Sequence, residues 1–358
     1  MNDAESIVVQ MCKGFVLAHP ELAFNESYKI ISRKEKHQNV ALISGGGSGH
    51  EPAHAGFVGQ GMLDAAVCGD VFASPSQIQV YKALQQVASD KGALMIIKNY
   101  SGDMMNFQNA AALAADDGIQ VDFVKVADDI AVNDSLYTVG RRGVAGTIFV
   151  HKIAGAAASK GYELAQVKAL AQKAADNVTS LGFAFTSCTV PAKGTPTLIL
   201  ADDEIEYGAG IHGEPGIRRE KILPSKKLAQ RIVDDLFLDR PNLTEVAVLV
   251  NGFGTTPLQE LYVFNQDVCE HLAVRGIKIY RTFVGNYMTS IDMAGASVSL
   301  LALDDELKGY LDAEADTPAF KMDGSAALPL EFATTGSQVE GTLNTDIETQ
   351  AEHAEIAN

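Results

Sequence analysis

The chain has 358 residues, 47% hydrophobic and 20% charged, a composition typical of a soluble globular protein with room for two cores. Its formal net charge of −17, from 28 basic and 45 acidic residues, speaks against nucleic acid or an anionic membrane surface as partner. Cys12, Cys68, Cys188 and Cys269 form no CxxC pair and suit a reducing cytoplasm, the acidic N-terminus lacks the apolar stretch of a signal peptide, and no apolar run is long enough to span a bilayer.

Apolar residues at helical spacing over 5–18 predict a leading helix. A short extended segment is expected over 28–34, and Val40-Ala41-Leu42-Ile43 has the pattern of a buried strand. That strand runs into Ser44-Gly45-Gly46-Gly47-Ser48-Gly49-His50-Glu51-Pro52. Such glycines let the backbone turn sharply and bring its N–H groups close to an anionic or polar oxygen. Pro52 suits the first turn of a helix, and 53–61 is expected to be partly helical. A strand over 62–67 ends in Cys68-Gly69-Asp70, and Ser74 as N-cap with Pro75 behind it predicts a helix to about 89. A strand over 92–97 leads to Lys98-Asn99-Tyr100-Ser101-Gly102-Asp103. A polar loop at the C-terminal end of a buried strand is where α/β proteins hold ligands. Helix 104–117, strand 120–126 and the loop Asp128-Asp129-Ile130 follow. Arg141 and Arg142 stand in Gly140-Arg141-Arg142-Gly143-Val144-Ala145-Gly146, either a solvated basic turn or a binder of phosphate or a partner, before a helix over 147–160.

A helix over 163–180 leads to a strand over 182–185. Short strands over 198–200 and 204–207 flank a turn at Asp202-Asp203 and deliver the chain to Gly210-Ile211-His212-Gly213-Glu214-Pro215-Gly216. Helix 225–238, strand 245–250, helix 257–274 and strands 277–284 and 297–303 complete the pattern. The alternation predicts two α/β domains with mixed sheets flanked by helices, 1–183 carrying the glycine-rich loop and 184–330 carrying His212. Apolar residues thin out from 331, and 331–358 is expected to be a disordered acidic tail.

Of the eight histidines, His19, His37 and His353 lie in polar or terminal surroundings, and His151 and His271 on predicted helices have structural roles as their simplest reading. His50 and His212 each sit among glycines beside a carboxylate, a setting that a structural histidine rarely needs. His54 stays open between the two readings. The His-x3-His spacing of His50 and His54 lacks a third metal ligand. No G-x4-GK[ST] loop occurs, G-x-G-x-x-G fails at His50, and no G-x-S-x-G falls in register around Ser48.

Four segments together resemble the substrate-binding subunit of the dihydroxyacetone kinases, over about residues 5–322. They are the glycine-rich loop 44–52, the loop 98–103, Asp134-Ser135-Leu136-Tyr137-Thr138 with Gly140-Arg141-Arg142-Gly143, and the His212 segment 210–216. The resemblance implies that a ring nitrogen of His212 adds to the ketone and holds it as a hemiaminal. It implies that Gly47, Ser48, Gly49, His50, Lys98 and Asp103 surround the substrate, with His50 and Asp103 as the acid/base pair. A neutral imidazole is a usable nucleophile at pH 7, and addition to a carbonyl rejects glycerol. By the same resemblance the chain is a stand-alone, cytoplasmic, homodimeric subunit with no cofactor and no metal of its own. ADP or ATP with magnesium belongs to a nucleotide-binding partner subunit, which a phosphodonor of the phosphoenolpyruvate-dependent phosphotransferase system recharges. The alternative is a ketone-sensing transcriptional co-activator of the same ancestry.

Overall fold

The computed structural model describes residues 2–330 apart from 133, 136 and 137; the expected tail at 331–358 and two residues of the motif at 134–138 lie outside the described residues. The first sheet contains β1 (Leu22–Asn25), β2 (Ile30–Arg33), β3 (Ala41–Ser48), β4 (Ala65–Val71), β5 (Ala93–Lys98) and β6 (Val121–Val126). Its order is β1-β2-β4-β3-β5-β6, with the last four parallel and the first two antiparallel at one edge. The second sheet contains β7 (Val178–Ala184), β8 (Glu204–Tyr207), β9 (Arg218–Lys221), β10 (Glu245–Gly252), β11 (Lys278–Gly285) and β12 (Gly295–Ala302). Its order is β9-β8-β7-β12-β10-β11, and within it only β10 and β11 run parallel. The chain thus adopts the expected α/β class, with two mixed sheets and helices on their faces.

Alternation of side chains across each strand sorts the core into three bodies. Ala41, Ile43, Met95 and Ile97 point to one face of the first sheet, where α2 (Gln77–Val87) and α3 (Ser101–Asp116) cover them. Leu42, Leu94 and Ile96 point the other way, into a layer shared with Ala247, Leu249 and Leu301 of the second sheet. That layer holds α1 (Ile7–Ala18), α4 (Thr147–Ser159), α5 (Leu164–Asn177) and α8 (Asp305–Leu311). Residues 147–158 of α4 are all buried, as its apolar composition on every side requires. Val246, Val248 and Val250 face outward under α6 (Ser225–Asp239) and α7 (Leu258–Val274).

Several local expectations change. The strand expected to end at Ile43 continues through the glycines to Ser48, paired with β4, and the turn begins at Gly49. The N-cap of α2 is Ser76, not Ser74, because Ser76 and Gln79 form a reciprocal capping box. The helix expected to 180 stops at Asn177, since 178–184 pairs as a fully buried central strand between β8 and β12. No strand forms over 198–200; β8 pairs instead with β9, so His212 lies on the connection between those two strands.

Strand order also places the ligand crevice. From β3 the chain moves to β4 on one side, then crosses back to β5 on the other. Loops leaving neighbouring strands in opposite directions open a crevice beyond their carboxyl ends. The loops after β3 and β5 are 49–64 and the segment that opens α3, and they carry the C-terminal parts of the two segments singled out by sequence, 44–52 and 98–103.

Candidate functional site

β3 and β5 pair from Ala41 opposite Ala93 to Ser44 opposite Ile96 and then part, while β3 stays paired with β4 to Ser48 opposite Val71. Lys98 fills the gap. A Cβ at Gly46 would stand 2.5 Å from Lys98 Nζ, so a side chain at 46 and the lysine compete for one space. Lys98 Nζ donates to the Gly45 carbonyl at 3.1 Å, meets His54 Nε2 at 2.8 Å and lies 3.9 Å from Asp103 Oδ2. Burial pushes the Lys98 ammonium toward neutrality, and the Asp103 charge opposes it. Asp103 is in the first turn of α3, where a carboxylate suits the helix dipole. Its Oδ1 is buried with no hydrogen-bond partner among the described residues.

The glycine-rich loop is tied to the segment between β11 and β12. Thr289 and Ile291 donate backbone N–H groups to the carbonyls of His50 and Gly49 at 3.2 and 2.9 Å. His50 Nδ1 lies 2.8 Å from the Thr289 carbonyl. A carbonyl only accepts, so Nδ1 carries the proton and Nε2 presents a lone pair. That Nε2 is buried with no partner among the described residues. Burial, then the charges of His212 and Lys98, push His50 well below the usual histidine range. Its ring stacks on Phe72, centroids 5.0 Å apart.

His212 enters from the second sheet. Its ring stands edge-on to His50, Phe72 and Tyr100, with centroids 4.8, 5.1 and 4.7 Å away. Its Nδ1 faces Glu214 Oε1 at 3.8 Å, and its backbone N–H donates to Glu214 Oε2 at 2.9 Å. Glu214 is held in turn by Arg142 Nη1 at 3.2 Å. Arg142 also donates to Asp129 Oδ2 at 2.7 Å and to the Gly208 carbonyl at 2.8 Å. A Cβ at Gly210 would fall 2.2 Å from Glu214 Oε1 and 2.4 Å from Arg142 Nη1, so the ion pair needs a glycine there.

Arg142 is 0% exposed. It is neither a solvated turn residue nor a phosphate binder but the support of the His212 segment. Burial alone would raise the Glu214 carboxyl, but His212 and Arg142 outweigh it and hold it at about 2. This pairing therefore adds stability that is present above the ordinary glutamate range and lost as pH falls toward about 2. Arg142→Met should cost about 3–5 kcal/mol, because it strands two buried carboxylates. Denaturant unfolding measures this, and a loss under about 1 kcal/mol would be an ordinary surface effect.

These walls enclose a cavity of about 470 Å³. Of the residues expected from sequence, Gly47, His50, Lys98, Asp103 and His212 line it together. The Ser48 hydroxyl instead donates to the Gly69 carbonyl at 2.8 Å, and the Gly49 N–H donates to the Glu51 carboxylate at 3.0 Å, so both shape the turn. Tyr100, from the loop 98–103, lines it too, as do Phe72, Val190, Lys193 and Thr197, which carried no motif of their own. The turn expected at Gly69-Asp70 hinted at a second loop beside the glycines, although β4 runs on to Val71 before Phe72. Among the described residues no group of three or more His, Cys, Asp or Glu is arranged to hold a metal, and no helix is long and apolar enough to cross a membrane.

The Dak1 domain family matches residues 13–319. The chain belongs to the Dak1 family. It is 51% identical over 310 residues to the dihydroxyacetone-binding subunit of a PTS-dependent dihydroxyacetone kinase of Listeria innocua, covering 86% of this chain and 94% of that one. The crystal structure of the dihydroxyacetone kinase of C. freundii superposes with a TM-score of 0.86 at 36% identity. That match covers 96% of this Dak1 chain and 63% of the longer kinase. A dihydroxyacetone kinase operon co-activator superposes with a TM-score of 0.82 at 39% identity, covering 87% of this chain and 97% of the co-activator.

Proposed function

We propose that this Dak1 chain is the dihydroxyacetone-binding subunit of a phosphoenolpyruvate-dependent dihydroxyacetone kinase, working in the cytoplasm as a homodimer. The observation that carries the reading is the meeting of His212 with His50, Lys98 and Asp103 on one cavity. His212 Nε2 attacks the ketone carbon while Nδ1 faces the Glu214 carboxylate, which favours the positive charge developing on the ring. A nitrogen–carbon bond forms and the carbonyl π bond breaks. The oxygen gains a proton, the ring loses its N–H proton, and a neutral hemiaminal results. The terminal hydroxyl of the anchored ketone then attacks the γ-phosphorus of ATP held by a nucleotide-binding partner subunit. Its proton passes to Asp103 and ADP leaves, to be recharged through the phosphodonor subunit. His50, kept neutral by burial, accepts a hydrogen bond from that hydroxyl at Nε2 and orients it.

A second reading, a ketone-sensing co-activator, is supported by the likeness to the operon co-activator. Reconstitution separates the two. The purified chain, a nucleotide-binding subunit, the phosphodonor proteins and phosphoenolpyruvate should together phosphorylate dihydroxyacetone, while the chain with ATP and magnesium alone should not. Turnover by the chain alone would overturn the division of labour. A complete system that stays silent, beside a transcription factor that binds the chain only when ketone is present, would decide for the sensor.

A further inference from the structure

We propose that His54 and His151 form a buried positioning relay that fixes where the Lys98 ammonium points in the cavity. The inference rests on the reading of Lys98 as a substrate contact. His151 Nε2 lies 2.9 Å from His54 Nδ1, His54 Nε2 lies 2.8 Å from Lys98 Nζ, and Lys98 Nζ lies 3.9 Å from Asp103 Oδ2. All four side chains are buried, so water does not compete along the line. The series joins the loop after β3, the end of β5, the first turn of α3 and the buried helix α4.

Chemistry sets the direction of the relay. An ammonium has donors only, so His54 Nε2 accepts and the His54 proton sits on Nδ1. Ser44 gives the same answer independently. Its hydroxyl donates to the Ile96 carbonyl at 2.6 Å, so toward His54 Nδ1 at 3.5 Å it offers a lone pair. Lys98 at Nε2 and Ser44 at Nδ1 therefore both call for the His54 proton on Nδ1. His151 Nε2 then accepts, and the His151 proton lies on Nδ1, which is buried without a hydrogen-bond partner among the described residues. An unpaired buried N–H is disfavoured, and packing alone gives no reason for a histidine here. Its use is to accept from His54 and so lock the tautomer that receives Lys98.

The consequence falls on the lysine head. One N–H goes to the Gly45 carbonyl, one to His54, and the third is left for Asp103 and the cavity. The titratable groups facing this head are Asp103 from α3 and His50 and His54 from the loop after β3, with His151 of α4 behind His54. Burial and then the Lys98 charge keep His54 and His151 neutral, so neither repels the ammonium. Without His54 the head loses an acceptor that favours its charged form and with it the fixed direction of its third N–H. His54 is thus a positioning residue, acting through Lys98.

His54→Leu and His54→Gln test this in the complete phosphotransfer system, because glutamine can return an acceptor to the place of Nε2. His54→Leu should raise KM for dihydroxyacetone about tenfold to hundredfold, the effect of losing one charge-assisted hydrogen bond. It should also move the alkaline limb of the pH–rate profile to lower pH, since neutral Lys98 is reached sooner. His54→Gln should restore both, with the two variants melting alike. Equal KM losses in both with an unmoved limb would make the pair mere packing. Nitrogen NMR of histidine-labelled wild-type protein decides the matter even if His54→Leu does not fold. Neutral His54 protonated on Nδ1 supports the relay, and the other tautomer or a charged ring overturns it. A wild-type chain that forms no ketone adduct overturns the ketone reading, and with it the relay's bearing on substrate, whatever the tautomer.

Discussion

Replacing His212 by alanine is expected to abolish the covalent ketone adduct and, with it, turnover in the complete system. The ring is held on three sides by His50, Phe72 and Tyr100, each nearly perpendicular to it, so its freedom to turn is small. Its Nδ1 faces Glu214, itself anchored through Arg142 to Asp129, so the proposed nucleophile is aimed by a buried ion-pair chain whose Arg142 is 0% exposed. Of the other basic groups on the two motif loops, neither matches it as a nucleophile. Burial keeps Lys98 wedged beside Gly46 with two of its N–H groups spent, and His50 is held weakly basic by its surroundings. Holding a reactant in line is worth an effective molarity of up to about 10⁵–10⁸ M in well-oriented systems. Losing the anchor should therefore cost more than any other single change in this site. Intact-protein mass spectrometry with excess dihydroxyacetone should show a mass gain in the parent and none in His212→Ala. Glycerol, without a carbonyl, should give none in either. A variant that still gains the mass would move the nucleophile to another residue.

Much of this architecture was legible because it is local. The apolar runs 40–43 and 92–97 announce the start of β3 and most of β5 through hydrophobic pattern alone, although β3 runs on through the glycines to Ser48. Placement at a crevice follows once those strands are neighbours, and His50, Lys98, Asp103 and His212 could be singled out before any fold was known. What could not be read depends on pairings far apart in the chain. The tautomer of His50 is set by the carbonyl of Thr289, 239 residues away. Arg142 reads equally as a solvated turn residue or a binder of phosphate or a partner until Glu214, 72 residues on, folds back against it. His151 looks like a packed core residue because its partner, His54, lies on a different element. The Ser74 assignment failed for a smaller reason. Two serines flank Pro75, and only the reciprocal bond with Gln79 separates them.

Asp103→Asn is expected to keep the adduct and lose phosphoryl transfer. Asparagine preserves the shape of the side chain and keeps an oxygen that can face Lys98, so the substrate pocket should stay intact. It cannot take a proton from the terminal hydroxyl. Removing a positioned base costs about 10²–10⁴ in rate, or roughly 3–5.5 kcal/mol of barrier. Within that range the upper half is expected, because the neighbouring candidate is poor. His50 presents its lone pair on Nε2, but burial and the charges of His212 and Lys98 push it well below the usual histidine range, so it holds a proton badly. A secondary effect follows from Lys98. Burial already pushes that ammonium toward neutrality and the Asp103 charge is what opposes it. With the charge gone, Lys98 should lose its proton at lower pH, and the residual activity of Asp103→Asn should fall away earlier on the alkaline side than in the parent. The measurement is paired on one preparation: adduct by mass spectrometry, and turnover against pH in the complete system. Near-normal turnover would remove Asp103 from the chemistry. Loss of the adduct along with turnover would place Asp103 at the carbonyl-addition step, with His50 left as the acceptor of the hydroxyl proton.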